Sequence, residues 1–562
     1  MWKIGLVAIT IAGCGGGGSQ RGDSGADQAT ATGGANGGTN GGSGGTTSSG
    51  GATATGGATA TGGATATGGA ATGGATATGG SPGSGGAAGT GAAGGAAGRG
   101  GAGGGQGQGG AGGGQGGAGG RGGSAGGASG KGGAAGAGAG GGAGARGGAG
   151  GLAGQGGSAG LGAPALHVSR ADAYPANQAA ILGMLVAVDS QDTAVVIGPA
   201  TSSSLSPAIS WLPRQGASRR QVYANGATPR AMAIGPADVL WLAGYLFGTV
   251  SFGGPTLPAL ENGYYLCRLG ADGSQQQCIS VPTSGSPEVR AVKADAAGNV
   301  YVVGSLYIFG PTTISNAFVT KVSPVGQVLW NREFAGTGST AYIGGVAITP
   351  DNRVAIAGGF NDQLALGTPP LVSQSTMSGG YNGFWATLDA SNGNPISVSR
   401  FGGSIFDLAN TIDVTSDGAL RIGGQLSGAS TVGGMAVTAD AEGSAFVAEV
   451  SAGGTARWVR VITGRGIVFG SDTNAAGRTF AAGRIDGTTS DSLLASLTVD
   501  GTLTFPLRTP TGASNGAVAA AADRHGGVWV AGELLGSANF GTGPITSPGA
   551  TEPTNYLVHL EP

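Results

Sequence analysis

From residue 164 onward, apolar and polar side chains alternate in short runs separated by Gly, Asn, Asp and Ser, a pattern that predicts brief β-strands joined by tight turns. One unit recurs along this stretch: VAVDSQDTAVVIG from Val186, AMAIGPADVLWLAG from Ala231, AVKADAAGNVYVVG from Ala291, VAITPDNRVAIAGG from Val346, IDVTSDGALRIGG from Ile412, FGSDTNAAGRTFAAG from Phe469 and AAAADRHGGVWVAG from Ala519. Each of these seven copies reads as a strand, a turn and a second strand ending at Gly198, Gly244, Gly304, Gly358, Gly423, Gly483 or Gly532. A second pair of strands follows in most copies, as in NAFVTKVSPVGQVLWNREFAG from Asn316, NGFWATLDASNGNPISVSRFGG from Asn382 and SAFVAEVSAGGTARWVRVITG from Ser444.

Successive repeat glycines lie 46, 60, 54, 65, 60 and 49 residues apart. That spacing is too irregular for a tight solenoid and suits four-stranded units with variable loops. Residues 164–562 are therefore expected to form an all-β fold, a β-propeller of seven four-stranded blades, with six or eight left open because copies one and six depart from the pattern. The last unit has strands near Ala519–Ala522, Val528–Ala531 and Tyr556–Leu560 and then lacks a fourth. Ala165–Arg170, ahead of the first copy, reads like Ile396–Arg400, a fourth strand elsewhere, and is expected to complete the last blade. Closing the ring in this way would remove an exposed edge. Nearly all of residues 166–562, copies one and six departing from it, resembles the bacterial β-propeller repeat family, in which an AVDxxGNVYVxG hairpin alternates with an FVxKxxxxGxxxW hairpin. Residues 289–334 carry the likeness in Val300–Gly304, Phe318–Lys321 and Trp330, and the connecting LFGTVSFGG from Leu246 and LLGSANFG from Leu534 extend it.

Before residue 164 the alternation disappears. Most of the 128 glycines lie here, including a GGATAT hexapeptide repeat near Gly51, and from Gly15 large apolar side chains are almost absent before Leu152. Residues 14–163 cannot offset the entropy of ordering their backbone and are expected to be a disordered Gly/Ala/Thr-rich linker. As a Gly-rich coil, such a tether spans on the order of 60 to 75 Å. Glycine keeps no strict every-third period, which excludes collagen, and no GGxGxD calcium repeat occurs. Arg21-Gly22-Asp23 spells an adhesion tripeptide and is read as a chance match.

Residues 1–13 place Lys3 ahead of the apolar run Ile4–Ala12, the order of an export signal. The run is far shorter than the ~20 residues of a spanning helix. Ile11-Ala12-Gly13-Cys14 resembles a lipobox, in which the cysteine thiol is acylated and becomes the first residue after cleavage. The resemblance implies lipidation of Cys14 and attachment to the bacterial cell envelope, at the outer membrane or cell surface.

The other two cysteines, Cys267 and Cys278, stand symmetrically about the turn Gly270–Gly273, so a hairpin would oppose them directly. A disulfide is expected, against two buried free thiols, because opposed positions bring Cβ atoms near bridging distance and export favours oxidation. No His or third Cys lies near enough to suggest a metal. His167, His525 and His559 fall in two predicted strands and a turn, without HExxH or GxSxG patterns. Asp295, Asp351, Asp417 and Asp523 are read as equivalent turn residues that accept backbone hydrogen bonds. Thr473–Phe480 approaches the sialidase aspartate box, but Ala475 stands where that turn has its aspartate; Leu388–Gly393 resembles a quinoprotein repeat without its tryptophan.

No catalytic residue, metal ligand or cofactor site is therefore assigned. Net charge is -2 with 10% charged residues, which gives no electrostatic case for nucleic acid. The expected protein is a monomeric, surface-displayed binding or scaffold module held to the membrane through Cys14, its partner an extracellular protein or glycan. The inserts Phe247–Asn262 and Asp362–Asn382 are the candidate contact surfaces. The rival expectations are a hydrolase or lyase acting on extracellular polysaccharide, marked by a carboxyl pair in a cleft, and a purely structural spacer.

Overall fold

Each repeat starts as a hairpin whose turn is closed by its own polar side chain. Asp295 accepts the N–H groups of Ala297 and Asn299 at 3.0 and 2.8 Å, and Asp523 those of His525 and Gly527 at 2.8 and 2.7 Å. Asp351 and Asp417 do not share that place, contrary to expectation. Thr349 and Thr415 hold it instead, and the two aspartates, two residues later, accept the threonine hydroxyls at 2.5 Å while pairing with Arg353 and Arg457. Serine, threonine and aspartate all offer an oxygen to such a turn, so an aspartate by itself does not mark its register.

The computed structural model describes residues 166–562 apart from 177–183, 203–205, 224–226, 247, 261, 312, 337–339, 488–489, 510–514 and 550. Cys14, the signal 1–13 and the linker 14–163 lie outside the described residues. Four sheets have four strands each, all antiparallel. The first holds Leu185–Val188, Ala194–Pro199, Pro207–Leu212 and Arg219–Val222; the second Thr228–Ile234, Leu240–Tyr245, Gly263–Leu269 and Gln275–Pro282; the third Ser286–Ala294, Val300–Ile308, Ile314–Val322 and Val328–Phe334. The fourth of these joins the two ends of the folded region: Asn515–Ala522, Val528–Leu534 and Thr554–Glu561 are completed by His167–Pro175, whose His167 pairs with Glu561. The expected closure by the segment ahead of the first copy is thus present. A further sheet of Ala341–Ile348, Arg353–Phe360, Asn382–Asp389 and Pro395–Gly403 gains a hairpin, Ala429–Val432 with Met435–Thr438, on its outer edge.

These five sheets read directly as single blades, against the seven expected. The remaining stretch forms one seven-stranded sheet from Leu408 to Thr509, because Ala456–Thr473 runs on for 18 residues and pairs with Ser444–Val450 along its first half and Thr479–Asp486 along its second. The arrangement is a β-propeller. Apolar side chains fill the spaces between neighbouring sheets: Tyr301, Val303 and Phe334 pack with Ile343, Ile356 and Phe384, and Met184, Val196 and Leu212 with Trp529, Ala531 and Leu557 where the ends meet. Among the described residues no helix is long and apolar enough to cross a membrane.

The repeat glycine has a steric cause. Among the described residues the innermost strand of six of the seven repeat hairpins carries a β-bulge, as at Val289/Ala291 and Ile343/Gly345, directly opposite Gly304 and Gly358; Leu185–Val188 pairs without one. A Cβ on either glycine would meet the carbonyl oxygen of Glu288 or Tyr342 at 1.9 Å. Bulges bend and twist a strand, and only glycine leaves room for the displaced backbone.

Candidate functional site

The innermost strands surround a central cavity of about 330 Å³, lined by segments of Leu185–Val188, Thr228–Ile234, Ser286–Ala294, Ala341–Ile348, Leu408–Val414, Ala456–Thr473 and Asn515–Ala522. Two levels of charge line it. The bulged residues Arg230 and Arg290 form one. Arg290 lies over the Tyr342 ring, 4.3 Å from its centroid, and pairs with Glu288 at 3.1 Å, which also accepts the Tyr307 hydroxyl at 2.8 Å. Burial works to raise the Glu288 carboxyl, but Arg290 and Tyr307 outweigh it and hold the group below its ordinary value.

The second level lies three residues further along each strand, about 10 Å away. Pairing with the second strand puts Ala187, Ala233, Lys293, Ala347, Asp413, Asp472 and Ala521 at this one position. Asp413 accepts the Ser471 hydroxyl at 2.5 Å, and Asp472 accepts the N–H groups of Ala522 and Thr473 at 2.9 and 3.0 Å. Enclosure by the ring, reinforced by the Asp472 carboxylate, pushes Asp413 up to about 7. Asp472 is raised by the same enclosure, against the pull of Lys293. These three charged residues escaped the sequence analysis, although the signal was there: they occupy one column of the repeat in which the other four copies have alanine.

The long inserts form a second feature. Connections between second and third strands all leave an antiparallel propeller on the same face. Four of them are elaborated: 246–262 with a Val250–Leu257 bridge, 361–381 with Gln363–Leu364 and Leu371–Val372, 427–443 with Ala429–Val432 and Met435–Thr438, and 535–553 with Ser537–Asn539 and Pro544–Thr546. The two inserts singled out in the sequence therefore share a face. The insert at 427–443 is pinned by Asp407, which accepts the N–H groups of Gly403 and Ser427 and the Ser430 hydroxyl at 2.8, 3.0 and 2.8 Å. Burial raises the Asp407 carboxyl in spite of those bonds. Beside this insert a cleft of about 410 Å³ is lined by Gln374, Trp385, Ser399 and Arg400.

The cysteine pair is a disulfide between directly opposed positions of Gly263–Leu269 and Gln275–Pro282. His525 lies in a turn, 3.1 Å from Asp192, and His167 is exposed on the closing strand. His559 sits between Asp523 at 2.9 Å and Ser169 at 3.0 Å and stacks on Trp529 with ring centroids 4.1 Å apart. Serine, histidine and aspartate in a line have the composition of a nucleophilic triad, but His559 is only 4% exposed. Another repeat builds the same unit without histidine: Lys321, Tyr301 and Asp295 take the places of His559, Trp529 and Asp523, with the Tyr301 hydroxyl 3.2 Å from Asp295. The line is thus a structural tie, here recruited to hold the closing strand.

No protein-family model and no curated protein matches this chain. Solved structures similar to it include a protein of unknown function from Bacteroides caccae, with 11% identity over 58% of this chain and 93% of that one and a TM-score of 0.31. Another of unknown function, from Dyadobacter fermentans, has 12% identity over 71% and 100% with a TM-score of 0.35. YCF48 bound to a D1 peptide has 10% identity over 70% and 94%, again at 0.35. Nothing about function follows from these.

Proposed function

We propose that this chain is a lipid-anchored, surface-displayed propeller that acts as a non-catalytic binding module, its contact surface the face that carries the inserts. The observation that carries this reading is the concentration of four elaborated connections on one face of a ring whose other second-to-third connections, 200–206, 309–313 and 487–489, are short. Variable loops on a rigid scaffold are where recognition concentrates. We further read the ring as seven-bladed, with the long strand Ala456–Thr473 shared by two blades. Supporting this are the innermost segments that line the cavity, one from each sequence copy, and apolar clusters between every successive pair of units, including Val447 and Trp458 with Val468 and Leu493 across the shared strand. Cys14 would hold the module to the membrane, with 14–163 as its tether.

The test is a glycan array and an envelope-protein overlay, each run with the full chain and with a variant whose inserts at 361–381 and 427–443 are replaced by short Gly-Ser turns. Binding by the full chain that the trimmed variant loses supports the reading, and absence of binding in both assays favours the spacer. A second reading, a polysaccharide-acting hydrolase, draws on the Asp413 and Asp472 carboxylates facing one cavity. Release of reducing ends from envelope polysaccharide, abolished by Asp413→Asn, would favour it.

A further inference from the structure

Lys293, Asp413 and Asp472 face one cavity at one level of the ring. Opposite charges brought together only to stabilise a fold would be in contact, yet Lys293 makes no ion pair within 4.0 Å among the described residues. The carboxylates also lie on the innermost strands of successive repeat hairpins, where the charge of Asp472 acts on Asp413 and their repulsion is unfavourable in an enclosed space. The fold has no need of these charges at this register, since Ala187, Ala233, Ala347 and Ala521 serve there in the other repeats. The cavity, about 330 Å³, falls at the small end of the roughly 300–1,000 Å³ of ligand pockets.

We propose that the cavity binds a small zwitterion, such as a free amino acid or a short peptide, with the ligand's ammonium between Asp413 and Asp472 and its carboxylate toward Lys293. The unequal availability of the carboxylates fits this arrangement. Asp472 already accepts two backbone N–H groups, whereas among the described residues Asp413 accepts the Ser471 hydroxyl on Oδ2 alone, which leaves its Oδ1 for an ammonium donor. A ligand ammonium would relieve the repulsion between the two carboxylates, and a ligand carboxylate would span the gap that keeps Lys293 out of contact with them. A bare divalent cation would gain the carboxylates but meet the Lys293 charge. Arg290, held by Glu288 and Tyr342 on the other level, gives the cavity a cationic rim without competing for the ammonium.

This inference deepens the binding reading but uses a different surface, so each can fail alone. Isothermal titration of the full chain would use glycine, 4-aminobutanoate and glycylglycine as zwitterions, butylamine and butyrate as half-ligands, and calcium chloride. The expected result is one-to-one binding of at least one zwitterion, about tenfold or more tighter than either half-ligand, as an added charged hydrogen bond provides. Lys293→Met and Asp413→Asn should each weaken it about tenfold. Lys293→Met is the deciding variant if Asp413→Asn fails to fold, because among the described residues Lys293 forms no ion pair within 4.0 Å and acts on the two aspartates only at longer range. Binding of no zwitterion, binding of butylamine as tightly as the zwitterions, calcium binding alone, or an unaltered affinity in Lys293→Met would each overturn the proposal.

Discussion

Asp413 shows how a single column of the repeat can change the behaviour of the ring. Its carboxyl, pushed up to about 7 by enclosure and by Asp472, ionises near 3.9 in the unfolded chain. Between these values the folded protein holds the extra proton, so the associated stability is full below pH ~4 and is lost as pH rises through ~7. Asp413→Asn, which cannot ionise, should therefore be more stable than the parent at pH 8 by about 1 to 2 kcal/mol, a figure reduced because Asp413 is only half-buried. Thermal unfolding of both proteins from pH 4 to 8 checks this, and parallel curves would refute it. Elsewhere Arg421, 1% exposed, pairs with the equally buried Glu449, reaches Thr479 at 2.9 Å in the next hairpin and lies 4.7 Å from the Trp458 ring centroid. Glu449→Ala would strand that guanidinium, and denaturant unfolding should report a loss of about 3 to 5 kcal/mol.

At the scale of elements, ring closure depends on one strand contributed from the start of the folded region. His167–Pro175 pairs along its length with Thr554–Glu561, Ser169 bonds to His559, and Asn555 donates to the Pro175 carbonyl at 2.8 Å. Deleting 164–175 should lower the thermal midpoint by about 10 °C or more, since it uncovers an edge and removes a barrier to opening; an unchanged midpoint in calorimetry would count against this closure. The disulfide acts more locally, fastening one hairpin. Replacing Cys267 and Cys278 together by serine should cost about 2 to 4 kcal/mol, read by the shift in denaturation midpoint, and the unreduced, unfolded parent should show no reactive thiol from this pair.

For the whole molecule, the proposed order of anchor, tether and ring separates three tasks. On that proposal attachment would belong to Cys14, reach to the Gly-rich stretch and recognition to the ring. Burying acyl chains provides about 0.8 kcal/mol per CH2, and two or more chains hold a protein firmly. Mass spectrometry of the mature N-terminus should find Cys14 acylated; an unmodified residue further along the chain would make this a secreted propeller instead.

The alternation of side chains, the repeated glycine and the turn residues were sufficient to indicate strands, their grouping in fours in five of the sheets and the identity of the closing segment, because each depends on local sterics and hydrogen bonding. The symmetric placement of Cys267 and Cys278 was equally legible, since hairpin register is set by the turn between them. Other features depended on positions distant along the chain. Ala456–Thr473 spans two hairpins without a break, which no local turn signal announces. The convergence of Lys293, Asp413 and Asp472 on one cavity requires the ring to curl until strands more than a hundred residues apart face the same space. The reason for the repeat glycine also emerged only in three dimensions, as a bulged carbonyl pressing where a side chain would otherwise stand. Local chemistry determined the repeat, and the curvature of the ring decided which of its residues meet.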